Sequence, residues 1–197
     1  MKPVAEHCLR NQAPIAEALR PYLEAGGRWL ELGSGTGQHG VFIAGREPQV
    51  TWQLTDLAES LPGLRAWQSE AGLANLPPPV VLDVTRTGPP AHDYAGVFTA
   101  NTVHFIGWTV VDALLRCASE ALAADGWLAI YGPFNREGQY TSAGNATLDA
   151  WLRERDHDSG IKDEADVIEQ AALYHLAFVT AQAMPANNRL LMFKKNG

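Results

Sequence analysis

Seven consecutive residues carry the plainest chemical signal in this chain: Glu31-Leu32-Gly33-Ser34-Gly35-Thr36-Gly37, directly after the apolar pair Trp29-Leu30. Glycines at alternate positions leave the backbone bare and permit φ > 0, so a ligand can approach the main chain closely. An acidic residue, Glu31, stands two positions before the first glycine. Bare backbone beside a carboxylate suits a nucleotide-type cofactor. One frame, Gly35-Thr36-Gly37-Gln38-His39-Gly40, matches the dinucleotide fingerprint GxGxxG. A lone match of that kind is weak.

The other frame, from Glu31 through Gly33, Ser34, Gly35 and Thr36 to Gly37, matches the S-adenosylmethionine loop of class I methyltransferases. That cofactor carries no phosphate, so it needs no helix-terminus anion site. It needs carboxylates for its ammonium group and ribose hydroxyls. Two later acids suit the need. Asp56, followed by Leu57, is placed at the end of a second strand, where a carboxylate accepts from both ribose hydroxyls. NAD enzymes use the same position, so Asp56 alone does not discriminate. Asp83, followed by Val84, is placed after a third strand, within reach of an adenine amino group. The plainer alternative is that both acids cap the turns that follow them. Glu31 and the C-terminal hairpin described below favour S-adenosylmethionine and make the GxGxxG frame incidental.

Methyl transfer is an in-line displacement in which alignment and exclusion of water supply much of the rate. A general base is required only where the acceptor arrives protonated. Asn101 and His104 follow the fourth strand, beside the expected methyl group; Asn101 also borders the cofactor. Histidine is the residue type most often used as a general base, so His104 suits that role; a turn histidine bonded to backbone is the alternative. Tyr131 and Asn135 flank Gly132-Pro133 at the end of the fifth strand, and Tyr131 is the third catalytic candidate. Phe105, Trp108 and Phe134 are candidates for an apolar acceptor wall, and core packing is their plainer reading. Arg10 and Asn11 sit on an N-terminal helix that could close over the cofactor. Arg10, Arg136 and Arg153 could select an acidic acceptor, with surface charge as the alternative. Asn145 and Asp149 are weaker acceptor candidates. His39 could touch the cofactor, and capping or packing its helix is the plainer reading. No spacing among the histidines suggests a metal.

These residues need a scaffold. Residues 5–25 read as a helix that Pro14 should break or restart, ended by Gly26-Gly27. Strands are expected at 28–32, 50–55, 80–82, 95–100 and 127–131, with helices at 38–45, 61–71 and 110–124. Strand alternating with helix argues for a parallel, doubly wound sheet. The runs 176–183 and 189–194 are separated only by Met184-Pro185-Ala186-Asn187-Asn188, so they form an antiparallel hairpin. The fold class is therefore α/β: a Rossmann-like, mostly parallel sheet of class I methyltransferase type, closed by an antiparallel C-terminal hairpin strand. The chain reads as one domain, 1–197, with an N-terminal helical cap (about 1–26) and a polar insertion (about 132–166). Long insertions in compact domains tend to be functional lids.

Composition narrows the partners. Net charge is −7 with no Lys/Arg run beyond Lys194-Lys195, which disfavours nucleic acid. No apolar run approaches the roughly 18 residues of a membrane span. The two cysteines, Cys8 and Cys117, have no CxxC spacing and read as free thiols of a cytoplasmic protein. The expected partner is a small-molecule substrate, and the expected assembly a monomer or homodimer.

The resemblance extends beyond the fold class. Arg10-Asn11 with Pro14-Ile15, Gly33 to His39, Leu82-Asp83-Val84-Thr85, Asn101-Thr102-Val103-His104, Tyr131-Gly132-Pro133-Phe134-Asn135 and Met184-Pro185-Ala186-Asn187-Asn188 span nearly the whole chain. In that order they resemble the methyltransferase-like protein 26 family. One departure is His7-Cys8-Leu9, where a more acidic lead-in is expected. The resemblance implies a class I fold and S-adenosylmethionine as cofactor, with S-adenosylhomocysteine as product. It supplies no acceptor.

Overall fold

The computed structural model describes residues 3–197; Met1 and Lys2 of the expected cap, and the side chain of His7, lie outside the described residues. Seven strands form one sheet: β1 (Gly27–Leu32), β2 (Val50–Asp56), β3 (Val80–Val81), β4 (Tyr94–Ala100), β5 (Leu122–Pro133), β6 (Leu176–Met184) and β7 (Asn188–Lys195). Their spatial order is β3-β2-β1-β4-β5-β7-β6. The first five run parallel, and β7 lies antiparallel between β5 and β6. The expected mostly parallel sheet with an antiparallel C-terminal hairpin is the observed one.

Strand residues alternate between two cores because successive side chains point to opposite faces. Trp29, Trp52, Leu54, Phe98 and Tyr131 face one side, beneath α1 (Glu6–Leu23), α2 (Gln38–Arg46) and α3 (Leu61–Ala71). Leu30, Leu32, Val97, Leu128 and Ile130 face the other, beneath α4 (Trp108–Ala121) and α6 (Glu164–Ala172). Among the described residues no helix is long and apolar enough to cross a membrane.

Three details depart from or add to the sequence reading. Pro14 does not break α1, which runs through both Pro14 and Pro21. An internal proline costs about 3 kcal/mol. Ile15, Leu19 and Leu23 are each fully buried, and each contributes about 1.5–3 kcal/mol, so packing wins. The fourth long helix ends at Ala121 rather than Ala124, and β5 begins immediately at Leu122, running through Asp125 at φ 62°. The polar insertion is not an open loop. It holds α5 (Ala143–Arg155) and the start of α6. Ser142 caps α5 by accepting from the Asn145 N–H, and Asp163 caps α6 by accepting from Ala165.

Candidate functional site

Strand order reverses between β1 and β4, since the chain winds outward from β1 to β3 and then returns to start β4. Ligands of open α/β sheets bind at the carboxyl ends of the strands at such a point. The glycine loop lies there. Gly35 adopts φ 57°, a conformation that glycine reaches without strain. Its N–H donates to Asp56 Oδ2 at 2.6 Å, and the Leu57 N–H donates to Asp56 Oδ1 at 2.7 Å. The Ser34 hydroxyl accepts from Thr55 N at 3.1 Å, so β2 fixes the loop at two points.

Glu31 points to the α2 side of the sheet and is 1% exposed. Its Oε2 accepts from the Trp52 indole N–H at 2.8 Å. Burial pushes its carboxyl up to about 8, with the Trp52 bond opposing the shift and Asp56 adding to it. Gly40 makes the room. A Cβ there would lie 2.3 Å from Leu54 Cδ2 and 2.6 Å from Glu31 Oε2. The third glycine of the GxGxxG frame, expected to be incidental, therefore has a packing role. It lets the helix lie directly on β1 and β2.

Three adjoining cavities surround this edge. The first, of about 450 Å³, is lined by Asp56, Leu57, Asp83 and Val84 together with Gly33 and Asn101. Within it the Asp83 Oδ1 accepts from the Thr85 N–H and hydroxyl, and Arg86 pairs with Oδ2 at 3.2 Å. The Thr85 bonds hold that carboxyl below the usual range. Asp83 thus both caps a turn and faces the cleft. The second cavity, of about 240 Å³, is lined by Glu31, Ser34, Thr36, Cys8 and His39. The N-terminal segment borders it through Ala5 and Cys8 and is held by Ala5 N donating to Gln38 Oε1 at 2.6 Å and Trp67 Nε1 donating to Pro3 O at 2.7 Å. The third, of about 290 Å³, is lined by Asn11, Asn101, His104, Asn145 and Asn188 beside Phe105. Asn101 and Phe105 border all three. Asn101 turns the chain there at φ 56°, its N–H held by Tyr131 O at 2.8 Å.

Several sequence candidates are placed elsewhere. Phe134 is buried in the α4 core and faces none of the three cavities. Tyr131 is buried on the opposite face, behind Asn11 and Asn188; burial pushes its phenol up and those two side chains pull it back. Arg10 is exposed on α1 and lines none of the three cavities. Trp108 and Asn135 line a separate cavity with Arg153 and Lys162. Arg153 is paired to Asp149 at 2.8 Å, and Asp149 also accepts from Tyr140 and from Ile161 N, so both are structural. Arg10 and Arg153 thus stand apart from the three cavities, and Arg153 also ties the insertion together through Asp149.

Other site residues escape the sequence reading. Asn188 and Ala186 suit a hairpin turn, yet both wall the third cavity, as does Leu148 from α5. The unusual φ of Ala186 and Asn187, 59° and 57°, is the structural counterpart of that Met-Pro-Ala-Asn-Asn run. Lys162 carries no motif. Its buried Nζ donates to Ile106 O at 2.6 Å and Gly160 O at 2.9 Å, and Gly160 N donates to His104 O at 2.9 Å. The insertion is thereby tied to the segment that carries His104. Among the described residues, no three His, Cys, Asp or Glu side chains come together to hold a metal ion.

Solved structures share this architecture. An O-methyltransferase family protein from Burkholderia thailandensis matches with a TM-score of 0.80 at 14% identity, over 96% of this chain and 57% of that one. The S-adenosylmethionine-dependent methyltransferase SibL, in its apo form, matches at 0.81 and 20% identity, over 96% and 56%. The mitomycin 7-O-methyltransferase MmcR matches at 0.85 and 15% identity, over 95% and 54%. The chain spans a little over half the length of these structures, and at such identities the likeness is one of fold. The fold is that of class I methyltransferases. A family model described as "Protein of unknown function (DUF938)" matches residues 2–195. With that match covering almost every residue, the chain belongs to the DUF938 family.

Proposed function

We propose that this chain binds S-adenosylmethionine and transfers its methyl group to a small-molecule acceptor. The observation that carries the reading is the buried carboxyl of Glu31, facing a cavity beside the glycine loop with neutral donors, the Trp52 indole foremost, as its partners. A buried carboxylate is stable only with a cation or several donors. An ammonium group would favour its ionised form, whereas a pyrophosphate would oppose that ionisation. Asp56 and Asp83 line the adjoining larger cleft, where hydroxyl and amino groups suit them. When bound, the cofactor supplies a methyl group on an activated sulfonium. The chain supplies a junction at Asn101 and Phe105, and His104 lines the adjoining cavity, where it could take a proton.

The finer kinship we favour is with methyltransferase-like protein 26, on the runs quoted above. The proposal extends to a single cytoplasmic domain, a monomer or homodimer, with no nucleic-acid or membrane partner. The net charge of −7 supports the absence of nucleic acid.

Calorimetric titration separates the readings. S-adenosylhomocysteine is expected to bind and NAD is not; NAD binding without a response to S-adenosylhomocysteine would replace the methyltransferase with an oxidoreductase. Asp56→Ala should weaken S-adenosylhomocysteine binding by about 1–3 kcal/mol, the cost of losing a charged hydrogen-bond partner. Unchanged affinity would remove Asp56 from the site.

A further inference from the structure

We propose that the methyl acceptor is an uncharged, hydroxyl-bearing small molecule, seated by the carboxamides of the third cavity and losing its hydroxyl proton to His104. The inference rests on the methyltransferase reading and specifies its substrate. The cavity's polar lining consists of Asn11, Asn101, Asn145, Asn188 and His104; its remaining walls are apolar, and among the described residues no Asp, Glu, Lys or Arg lines it. A charged acceptor would lose its hydration there and gain no counter-charge, an unfavourable exchange. Two cations of the insertion are engaged elsewhere: Arg153 by Asp149, and Lys162 by the carbonyls of Ile106 and Gly160.

The amides also suit groups that both donate and accept. Asn145 Nδ2 donates to Thr141 Oγ1 at 2.9 Å, and Asn188 Nδ2 donates to Pro185 O at 3.1 Å. Each amide keeps a carbonyl oxygen, which accepts, and a second N–H, which donates. Hydroxyl groups satisfy such oxygens. A cavity of about 290 Å³ lies at the small end for ligand sites, fit for a molecule of about a dozen heavy atoms. Phe105, 49% exposed and edge-on to Trp151 at 6.4 Å, offers an apolar flank suited to a ring.

The imidazole of His104 is placed for the proton. It is buried and lines the third cavity. In the transfer, an oxygen lone pair of the acceptor forms the new O–CH₃ bond. The S–CH₃ bond breaks, and its electron pair stays on sulfur. The acceptor's O–H proton passes to a ring nitrogen of His104 and then to water.

The test uses the full chain saturated with S-adenosylhomocysteine. Matched triplets of hydroxylated aromatic probes are titrated, for example 3,4-dihydroxybenzamide, 3,4-dihydroxybenzoate and 3,4-dihydroxybenzylamine. The neutral member of a triplet is expected to bind at least about tenfold tighter than either ion. Equal or tighter binding of an ion, or no neutral binding at millimolar concentration, overturns the class. With methyl-labelled S-adenosylmethionine, label is expected on a hydroxyl oxygen of the neutral probe. His104→Gln should lower that transfer by about a hundredfold while probe affinity stays within about threefold. Unaltered transfer, or binding without any transfer, overturns the role of His104. Failure to bind S-adenosylhomocysteine at the first step brings down the methyltransferase reading itself, whereas cofactor binding with an ionic preference brings down only the acceptor class.

Discussion

Glu31→Gln is expected to weaken S-adenosylhomocysteine binding at pH 8 by about 2–3 kcal/mol and to abolish most of its pH dependence. In the free protein, burial keeps this carboxyl protonated up to about 8. An ammonium ligand requires the carboxylate. Binding at pH 7 must therefore expel about one proton, and wild-type affinity should fall about tenfold per pH unit below that value. The carboxamide introduced by the substitution keeps an oxygen for the Trp52 indole but has no proton to lose. Calorimetry in buffers of different ionisation enthalpy counts the released proton; a wild-type affinity that is flat from pH 6 to 8 would refute the pairing. Stability moves in the matching direction. The folded state holds this proton more tightly than the unfolded chain, whose carboxyl titrates near 4.5. The stabilising contribution is complete below 4.5 and is lost as pH rises to about 8. Unliganded wild type should therefore lose thermal stability over that window relative to Glu31→Gln.

Gly40→Ala should lower the unfolding free energy by about 1–3 kcal/mol, the usual cost of overpacking a core. The added methyl would lie 2.3 Å from Leu54 Cδ2, 2.6 Å from Glu31 Oε2 and 2.8 Å from Trp52 Cδ1. Leu54 and Trp52 are fully buried, so α2 must shift instead. For a chain of this size the melting temperature should fall by about 3–10 °C. Because the glycine loop leads directly into α2, cofactor affinity should fall as well. Gly45→Ala, on the same helix, is the control. Its nearest neighbour would be Leu73 Cδ1 at 3.7 Å, and the gain in helix propensity should make it neutral or stabilising by up to about 1 kcal/mol. Equal melting temperatures for the Gly40→Ala protein and wild type would show that the contact relaxes freely.

The sheet was legible because buried strands such as Trp29–Leu32 and Val97–Ala100 are short apolar runs that end in turn residues, and the intervening helices carry clear apolar stripes. The proposed cofactor edge was legible for a related reason: Glu31, Gly33–Gly37, Asp56 and Asp83 all sit at strand ends, which a strand assignment fixes in space. The cavity proposed for the acceptor was harder. Two of its walls come from α5 and from the β6–β7 turn. α5 is only weakly amphipathic, so period gave no signal there, although the Ser142 and Asp163 caps were present in the sequence. Phe134 and Asn135 misled for the opposite reason. Their position after β5 is correct, but which way each side chain turns depends on the insertion folded against it, and that packing is non-local.

Asn101 and Phe105 border all three cavities, so a ligand in one would touch side chains that also wall the others. On the proposed reading, any linkage between cofactor and acceptor affinities is reciprocal. The factor by which S-adenosylhomocysteine alters acceptor affinity must equal the factor by which the acceptor alters S-adenosylhomocysteine affinity. A substitution at either residue changes a coupling energy as well as two separate affinities. Double titrations, rather than single binding constants, are the measurement that resolves what this junction does.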